Sequence, residues 1–365
     1  MRFKNTLDRP LLLIIGLLVV AGFFVFSSAS LGLLAGEGAR FSSVAFSQLV
    51  LGIGLGGILL FVLSRVHYRI WKQYSLYAYI GSALLTLAVF IPFLGFSAHS
   101  ATRWLAIGPL TLQPAEVLKI GVVLYMAAYL ANARARLSNM VSGLLAVMLI
   151  LAAPAAILLL QPDTSTVLVI AAAACGMFFA AGAPWRDIAI IAVVGAIALG
   201  ALVMTRPYIL DRVTTFLDPQ ADRLDSGYQL RQSLIAVGSG KMFGRGFGQS
   251  VQKFGYLPEP TGDSIFAVAA EEFGFVGALA IIGLYIAFVF RAFWIAVRAP
   301  DYFGALVVIG ITLLVATQAF INIGSMLGVM PLTGLPLPLI SHGGTAMLVT
   351  LAAMGIVLNI SRYSR

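Results

Sequence analysis

The chain has 365 residues, of which 60% are hydrophobic and only 10% are charged, and its mean hydropathy is +0.99. Soluble domains carry about 25% charged residues, so the composition excludes a soluble globular protein and indicates a polytopic membrane protein. The net charge of +9 suits anionic membrane lipid, and because no stretch interleaves basic with aromatic residues we expect no nucleic-acid partner.

An uncharged run follows the basic N-terminus and extends from Pro10 to Gly36. A signal peptide has an apolar core of roughly 7–15 residues, so this longer run predicts a retained first span. Because a helix needs roughly 20 apolar residues to cross a bilayer, the further runs complete an all-α protein with about ten transmembrane helices. The predicted spans are 10–34, 44–64, 74–95, 114–131, 139–160, 164–182, 187–205, 263–290, 303–329 and 343–361.

Basic residues predict how these spans are oriented. With the N-terminus inside, the inside segments hold 13 lysines and arginines, and the short outside loops hold only 2. This bias follows the positive-inside rule and predicts a multi-pass protein with both termini in the cytoplasm. The single cysteine, Cys175, lies in an apolar run and excludes an intramolecular disulfide.

A large extracellular loop, 206–262, separates spans seven and eight within one integral membrane domain, 1–365. Apolar spacing over 227–238 predicts a short amphipathic helix lying on the membrane. The stretch 238–253 then combines five glycines with three bases, which are Lys241, Arg245 and Lys253. Two interpretations stay open: the glycines allow close backbone approach while the bases hold a diphosphate, or a flexible loop places its bases on lipid headgroups.

Asp263 follows this loop and opens the eighth span at the membrane boundary. A charge at such a boundary costs free energy unless something uses or pairs it. The carboxylate is either stabilised by the helix macrodipole or acts as a general base at the membrane surface. Two turns further in, Glu271 and Glu272 diverge by about 100° around the helix, so at least one must pair with a base, meet a water-filled cavity or take part in catalysis.

Two more groups of polar residues lie near the outer face. Glu116 and Lys119 are three residues apart on the fourth span and can pair, either to hold two spans together or to contact a substrate. The Pro- and Gly-rich loop 333–345 predicts a re-entrant turn that lines a site, because non-helical backbone at membrane depth must be covered by protein or a cavity. His342 in this loop is either structural or a hydrogen-bond donor.

These motifs, taken in order, resemble the SEDS family, which comprises RodA, FtsW and SpoVE. The resemblance runs essentially end to end, and its strongest pieces are Arg103-Trp104 with 112–119, then 227–238, 252–272, 333–345 and 359–362. Residues 252–259 are more similar to FtsW than to RodA. The chain departs from the family pattern at Gly262, Ser264, His342 and Thr345. These departures concern the fit of the substrate, since the aspartate itself is kept.

The resemblance implies a peptidoglycan polymerase of the bacterial cytoplasmic membrane, which joins lipid II units into glycan strands at the outer face for cell division. Asp263 is then the general base, and an inverting displacement needs no second carboxylate. Cationic side chains or a divalent cation, Mg²⁺ or Mn²⁺, stabilise the leaving diphosphate. The expected substrate-binding residues are Arg103, Glu116, Lys119, Lys241, Arg245, Gln252, Lys253, Glu259, Ser341, His342 and Thr345.

The resemblance also implies partners. They are a class B penicillin-binding protein, a single-span transpeptidase, together with other proteins of the division or elongation complex. Small residues allow close helix packing in membranes, and spans eight and nine offer Gly274, Gly277, Gly283 and Gly304.

The alternative functions are a lipid II flippase, an elongation polymerase of the RodA type and an inert scaffold. The large outward loop favours an enzyme over a flippase, and a scaffold leaves Asp263 without a role.

Overall fold

The computed structural model describes residues 7–36, 38–98, 101–107, 110–218 and 226–364. A helix lies at each of the ten predicted spans, which confirms the all-α membrane architecture. Among the described residues, nine helical segments are long and apolar enough to cross a bilayer, and Thr164–Ala180 is a shorter apolar helix. The helices are α1 Arg9–Gly36, α2 Gly38–Phe46, α3 Gly56–Leu63, α4 Arg69–Leu87, α5 Pro114–Ala133, α6 Ala146–Leu160, α7 Thr164–Ala180, α8 Trp185–Thr205, α9 Pro207–Leu217, α10 Ser226–Ser239, α11 Ile265–Val297, α12 Tyr302–Met326 and α13 Gly344–Arg362.

Some spans contain more than one type of helix. The π-helical stretch Ser47–Leu55 joins α2 to α3 into a single span, and a second π-helical stretch, Val141–Leu145, leads into α6. Helix α4 begins earlier than the predicted third span because it includes Arg69 and Lys72. Long basic side chains at a helix end reach the membrane interface, so a prediction based on uncharged runs stops short of them.

The centre of the bundle consists of α5, α12 and α13. In their most apolar stretches 72%, 61% and 72% of the residues are buried, whereas none are buried in α8. Small residues bring the central helices together: a Cβ at Gly310 of α12 would lie 2.6 Å from the side chains of Met177 and Val123. Helix α8 therefore lies at the periphery, where its apolar side chains face lipid.

Helix α11 is broken at Gly274, whose φ of 69° and ψ of −166° are not helical. The preceding loop fills the break, and the resulting N–H to carbonyl pairs are Arg245–Glu271 and Gly246–Glu272 at 3.0 Å each, Phe275–Lys241 at 2.8 Å and Val276–Met242 at 3.1 Å. This satisfies the helix ends that a break exposes at membrane depth. The helix and the loop each have a glycine at this contact, and a Cβ at Gly274 would lie 2.2 Å from the nitrogen of Gly244.

The segment between α8 and α11 holds two helices. Helix α10 confirms the amphipathic helix predicted at 227–238, and its buried residues Leu230, Ser233 and Ala236 share one face. That face packs on α11 and α12. Helix α9 was not predicted; Pro207 opens it at a position that lacks an intrahelical hydrogen bond in any case.

A three-stranded antiparallel sheet lies between α4 and α5, and the sequence did not predict it. Its strands are β1 Gly95–Ala98, β2 Ala101–Ile107 and β3 Leu110–Leu112, in the order β1-β2-β3. The central strand β2 carries Arg103, so the sheet fixes that side chain at the end of the bundle where α5 begins.

Residues 330–343 form a re-entrant segment without helix or strand between α12 and α13. It penetrates the bundle: a Cβ at Gly22, in the middle of α1, would lie 2.3 Å from the carbonyl oxygen of Leu339. The hydroxyl of Tyr285 on α11 donates to the carbonyl of Pro338. The segment is thus covered by protein on several sides, as the predicted re-entrant turn requires.

The first and last parts of the described chain meet at the opposite end of the bundle. The Asp8 carboxylate accepts two hydrogen bonds from Arg291, at 2.9 and 2.6 Å, and the Asp8 N–H donates to Ser361 Oγ at 3.2 Å. Asn359 accepts from the Tyr68 N–H at 2.9 Å and donates to the backbone of the same turn. Both chain ends therefore lie on one side, as the even number of spans requires.

Candidate active site

Asp263 lies on a backbone segment that is held from one side by three donors. The carbonyls of three consecutive residues each accept a hydrogen bond: Thr261 from the His342 N–H at 2.7 Å, Gly262 from Ser341 Oγ at 2.7 Å, and Asp263 from Asn322 Nδ2 at 2.8 Å. Helix α11 begins at Ile265, with Ser264 as its N-cap. Asp263 precedes the helix, so the macrodipole, which acts within the first turn, gives a weak account of it.

The Asp263 carboxylate lies against Gly334 of the re-entrant segment, beside an arginine from α9. A Cβ at Gly334 would be 3.3 Å from Asp263 Oδ2 and 3.8 Å from Arg212 Nη2. Arg212 also donates from Nη1 to the carbonyl of Thr333 at 3.2 Å. A Cβ here would crowd the carboxylate oxygen, and the φ of 69° at Gly334 also favours glycine. The structure thus brings a guanidinium and a carboxylate together over one glycine.

Arg103 provides a second guanidinium near Arg212. Its Nε donates to the carbonyl of Gln161 at 3.1 Å, and its Nη2 donates to the carbonyl of Pro162. Burial lowers the pKa of Arg212, the positive charge of Arg103 lowers it further, and the Asp263 carboxylate opposes both effects. Arginine starts from a pKa so high that Arg212 keeps its charge at neutral pH. Two cations therefore share the mouth of the bundle with the Asp263 carboxylate, and Asp163 is a second carboxylate that acts on Arg212.

Arg212 was missing from the residues predicted to bind substrate. It is one of seven basic residues in the segment 206–262, and no spacing or neighbour distinguishes it there. Only the fold of α9 against the re-entrant segment places it beside Asp263, which lies about 50 positions further along the chain. In the sequence, the polar character of the loop was the single indication that it holds a residue of the site.

Glu116 and Lys119 form the ion pair that their spacing predicted. Lys119 Nζ lies 2.8 Å from Glu116 Oε2 and donates to Gln318 Oε1 at 2.7 Å, and both charged side chains are buried. The three side chains line a small cavity that extends to Pro338 of the re-entrant segment. Removing Lys119 alone would leave a buried carboxylate unpaired, so the pair contributes to the structure whatever its role toward a substrate.

Lys253 has a structural environment in place of the predicted substrate contact. Its ammonium donates to Glu272 Oε1 at 2.8 Å, to Ser28 Oγ at 2.8 Å and to the Gly248 carbonyl at 2.9 Å. An ammonium has three donors, and all three are used inside the protein. The side chain is fully buried, so no donor remains for a diphosphate. The sequence could not show this, because Ser28 comes from α1.

Glu271 and Glu272 both pair with the loop, although they diverge around the helix. Besides accepting from Ser28 and Lys253, Glu272 accepts from two backbone N–H groups at 3.2 Å each. Glu271 accepts from Ser250 Oγ at 2.5 Å and lies 3.5 Å from Arg245 Nη1. This confirms the pairing interpretation. The glycine-rich loop thus approaches the end of a helix closely, and Arg245 and Lys241 lie on its exposed side.

The remaining candidates lie around the backbone that carries Asp263. The Glu259 carbonyl accepts from the Gly262 and Ser264 N–H groups, and its carboxylate lies 3.5 Å from the place of a Cβ on Gly262. The Gln252 N–H donates to Glu271 at 3.3 Å. The ring of His342 stacks on Phe26, and Thr345 Oγ1 donates to the Thr111 carbonyl at 3.0 Å, which fixes the start of α13.

A protein-built cation site is not evident at Asp263. Over the part of the chain that the structure describes, no three His, Cys, Asp or Glu side chains converge as metal ligands would. The carboxylate shares its surroundings with Arg212, whose charge repels a cation. A divalent cation would have to take most of its ligands from substrate phosphates, as Mg²⁺ does in many phosphate sites.

Comparisons with known protein sequences agree over the full length of the chain. The family model described as a cell cycle protein of the FtsW/RodA/SpoVE type matches residues 9–365. Stage V sporulation protein E of Bacillus subtilis is 35% identical over 364 residues, which cover 99% of each chain. "Probable peptidoglycan glycosyltransferase FtsW" of Saccharophagus degradans is 38% identical over 362 residues, which cover 97% of this chain and 92% of that one.

Solved structures share the fold. A chain of a peptidoglycan synthase complex that coordinates polymerization and crosslinking gives a TM-score of 0.80 at 30% identity, with 99% of both chains covered. The rod shape determining protein RodA of Thermus thermophilus gives a TM-score of 0.71 at 29% identity, with 98% of this chain and 97% of that chain covered. The similarity therefore includes the outer segment with α9 and α10 as well as the spans.

Proposed function

Because the chain belongs to the FtsW/RodA/SpoVE family of cell cycle proteins, we propose that it polymerises lipid II into glycan strands at the outer face of the cytoplasmic membrane. The observation that carries the proposal is the placement of one carboxylate, Asp263, beside Arg212 and near Arg103 at the mouth of the bundle. The test is glycan synthesis from lipid II by the purified protein, measured beside the Asp263→Asn variant.

The site supports a single displacement. The acceptor sugar hydroxyl forms a bond to the anomeric carbon of the donor, and its proton passes to the Asp263 carboxylate. The bond between that carbon and the diphosphate oxygen breaks, and the lipid diphosphate leaves with the bonding electrons. Arg212 and Arg103 stabilise the negative charge that develops on it. One displacement inverts the anomeric centre and needs no second carboxylate as a nucleophile.

A lipid II flippase explains the site less well. It would use intramembrane charges, but Glu116, Lys119, Glu271 and Glu272 are all paired inside the protein. The outer segment instead places Arg212 and Asp263 together, which a lipid carrier does not require. A divalent cation remains a proposal: it would be held mainly by the substrate diphosphate, whose charge it would help to neutralise, and none of the steps above depends on it.

The 13-to-2 charge bias and the meeting of both chain ends support cytoplasmic termini and an outward-facing Asp263. In a Cys175→Ala background, a cysteine at Asp211 on α9 should react with a membrane-impermeant maleimide added to intact spheroplasts. A cysteine at Arg136, in the turn after α5, should react only after lysis. Both positions are exposed, so accessibility is matched. Reaction of both from the outside contradicts this orientation.

The similarity to a chain of a synthase complex that coordinates polymerization and crosslinking supports a transpeptidase partner of the class B penicillin-binding type. We propose that the single span of this partner packs on α11. Of the four predicted packing glycines, Gly274, Gly277 and Gly304 already contact this chain's own atoms, and only Gly283 has open space around it. Gly283 lies in an exposed stripe along α11 with Val276, Leu279, Ile286 and Phe290. Its spacing is that of one helix face.

Gly283→Ile is expected to reduce co-purification with the partner in mild detergent, because a branched side chain prevents close helix approach. Polymer yield per folded molecule without partner should not change. The matched control is Gly195→Ile on the peripheral helix α8, where a Cβ also meets nothing within 4 Å. Equal co-purification of both variants would exclude this face. Capture of the division transpeptidase in preference to the elongation one tests the assignment to division, which rests on the similarity of residues 252–259 to FtsW.

A further inference from the structure

Two amide side chains on α12 connect the two polar clusters of the site. Gln318 Oε1 accepts from Lys119 Nζ at 2.7 Å, and its Nε2 donates to the Pro336 carbonyl at 2.8 Å. Asn322 Nδ2 donates to the Leu335 carbonyl at 2.7 Å and to the Asp263 carbonyl at 2.8 Å. The amides are four residues apart, so they lie on the same face of the helix.

The two amides hold backbone that has no regular structure of its own. Two consecutive carbonyls of the re-entrant segment each accept one hydrogen bond: residue 335 from Asn322 and residue 336 from Gln318. Helix α12 is one of the central helices, and both amides are buried. A buried amide in a packed helix has little freedom to move, so it fixes whatever it binds.

Asn322 carries an additional sign of a positional role. Its Oδ1 is buried and has no hydrogen-bond partner among the described residues. A buried acceptor without a partner is destabilising, and native proteins rarely leave one in place. The side chain is therefore kept for its two donated bonds, one of which ends on the residue that carries the reactive carboxylate.

We propose that Gln318 and Asn322 are positioning residues, which hold the Lys119 cluster, the re-entrant segment and Asp263 in one fixed geometry for the displacement. The inference rests on the proposed function. Neither amide needs to touch substrate. Reaction between two bound sugars requires the base within hydrogen-bond reach of the acceptor hydroxyl, and a displacement of about 1 Å can lower the rate about 100-fold.

Asn322→Leu is expected to lower kcat about 10–100-fold while KM for lipid II stays within about threefold. Gln318→Leu should act in the same direction, because Lys119 keeps Glu116 but loses its link to the re-entrant segment. The matched control is Thr312→Val on the same helix: Thr312 is fully buried, and among the described residues its hydroxyl donates to the Val308 carbonyl of α12 itself. Its kcat should remain that of the wild type.

A double-mutant cycle distinguishes positioning from general support of the fold. In an Asp263→Asn background, followed over long incubations, Asn322→Leu should cost less than about twofold more, since no base remains to be positioned. An equal loss in both backgrounds, with a lower Tm, would overturn the inference in favour of a structural role. If Asn322→Leu does not fold, Asn322→Ser, which retains one donor, takes its place in the same cycle.

The failure of this inference differs from failure of the proposed function. Wild-type polymerisation by Asp263→Asn would remove the base and with it the function as proposed. Loss of activity in Asp263→Asn, together with kcat within about threefold of wild type for both Asn322→Leu and Gln318→Leu, would overturn the positioning role alone.

Discussion

Asp263→Asn is expected to lower lipid II polymerisation by the purified protein about 10²–10⁴-fold, the range that general-base catalysis contributes. The amide keeps the size of the side chain but cannot accept the acceptor hydroxyl proton. The backbone should stay in place, because the three hydrogen bonds to residues 261–263 end on carbonyl oxygens that the substitution does not alter. Lipid II binding should therefore survive, and kcat should fall more than KM rises.

The control for Asp263→Asn is Asp211→Asn, which removes an exposed carboxylate from α9 in the same outer segment. It should polymerise at the wild-type rate. Little loss of stability is expected from Asp263→Asn, since the macrodipole contributes at most about 1 kcal/mol even within a first turn. Glycan made at near wild-type rate by Asp263→Asn, from preparations free of other polymerases, would contradict the assignment of Asp263 as the base and reopen the flippase interpretation.

The spans, and the position of Asp263 at the start of the eighth span, could be predicted because they depend on local sequence. A helix that crosses a bilayer must be apolar along about 20 residues, so uncharged runs located all ten helices. The break in α11 is different. Residues 263–290 were predicted as one unbroken span, and the non-helical geometry at Gly274 depends on a loop from 240–248 that packs into the break. A single glycine within a predicted span does not indicate such a contact.

The charged residues of the outer segment show the same limit. Lys253 and Arg212 are both basic residues of one polar loop, yet the first is buried on Glu272 and Ser28 while the second lies near Asp263 at Gly334. Whether a basic side chain is paired inside the protein or can contact a ligand depends on partners from distant helices. The sheet that carries Arg103 was missed for a related reason, because its strands β1 and β3 are only 4 and 3 residues long.

Arg212→Gln is expected to lower kcat about 10²–10³-fold, the typical effect of removing one donor that stabilises charge developing in a transition state. The guanidinium lies beside the Asp263 carboxylate at Gly334, where the diphosphate of a bound donor would leave. Arg103 cannot fully replace it, because its Nε and Nη2 already donate to the Gln161 and Pro162 carbonyls. Arg212→Lys should give an intermediate rate, since it retains the charge and loses the paired donors.

Product inhibition separates this electrostatic role from a structural one. The lipid diphosphate product carries the same anion that leaves in the reaction, so it should inhibit wild-type protein more strongly than Arg212→Gln. Arg206→Gln is the matched control, because Arg206 is an exposed base that directly precedes α9; its rate and product inhibition should equal those of the wild type. The contact from Arg212 to the Thr333 carbonyl predicts a small loss of Tm, which a merely structural residue would also show. Two results together would exclude Arg212 from the diphosphate site: product inhibition that is unchanged in Arg212→Gln, and a rate that falls only in proportion to the folded fraction. Arg212 would then serve to hold α9 against the re-entrant segment.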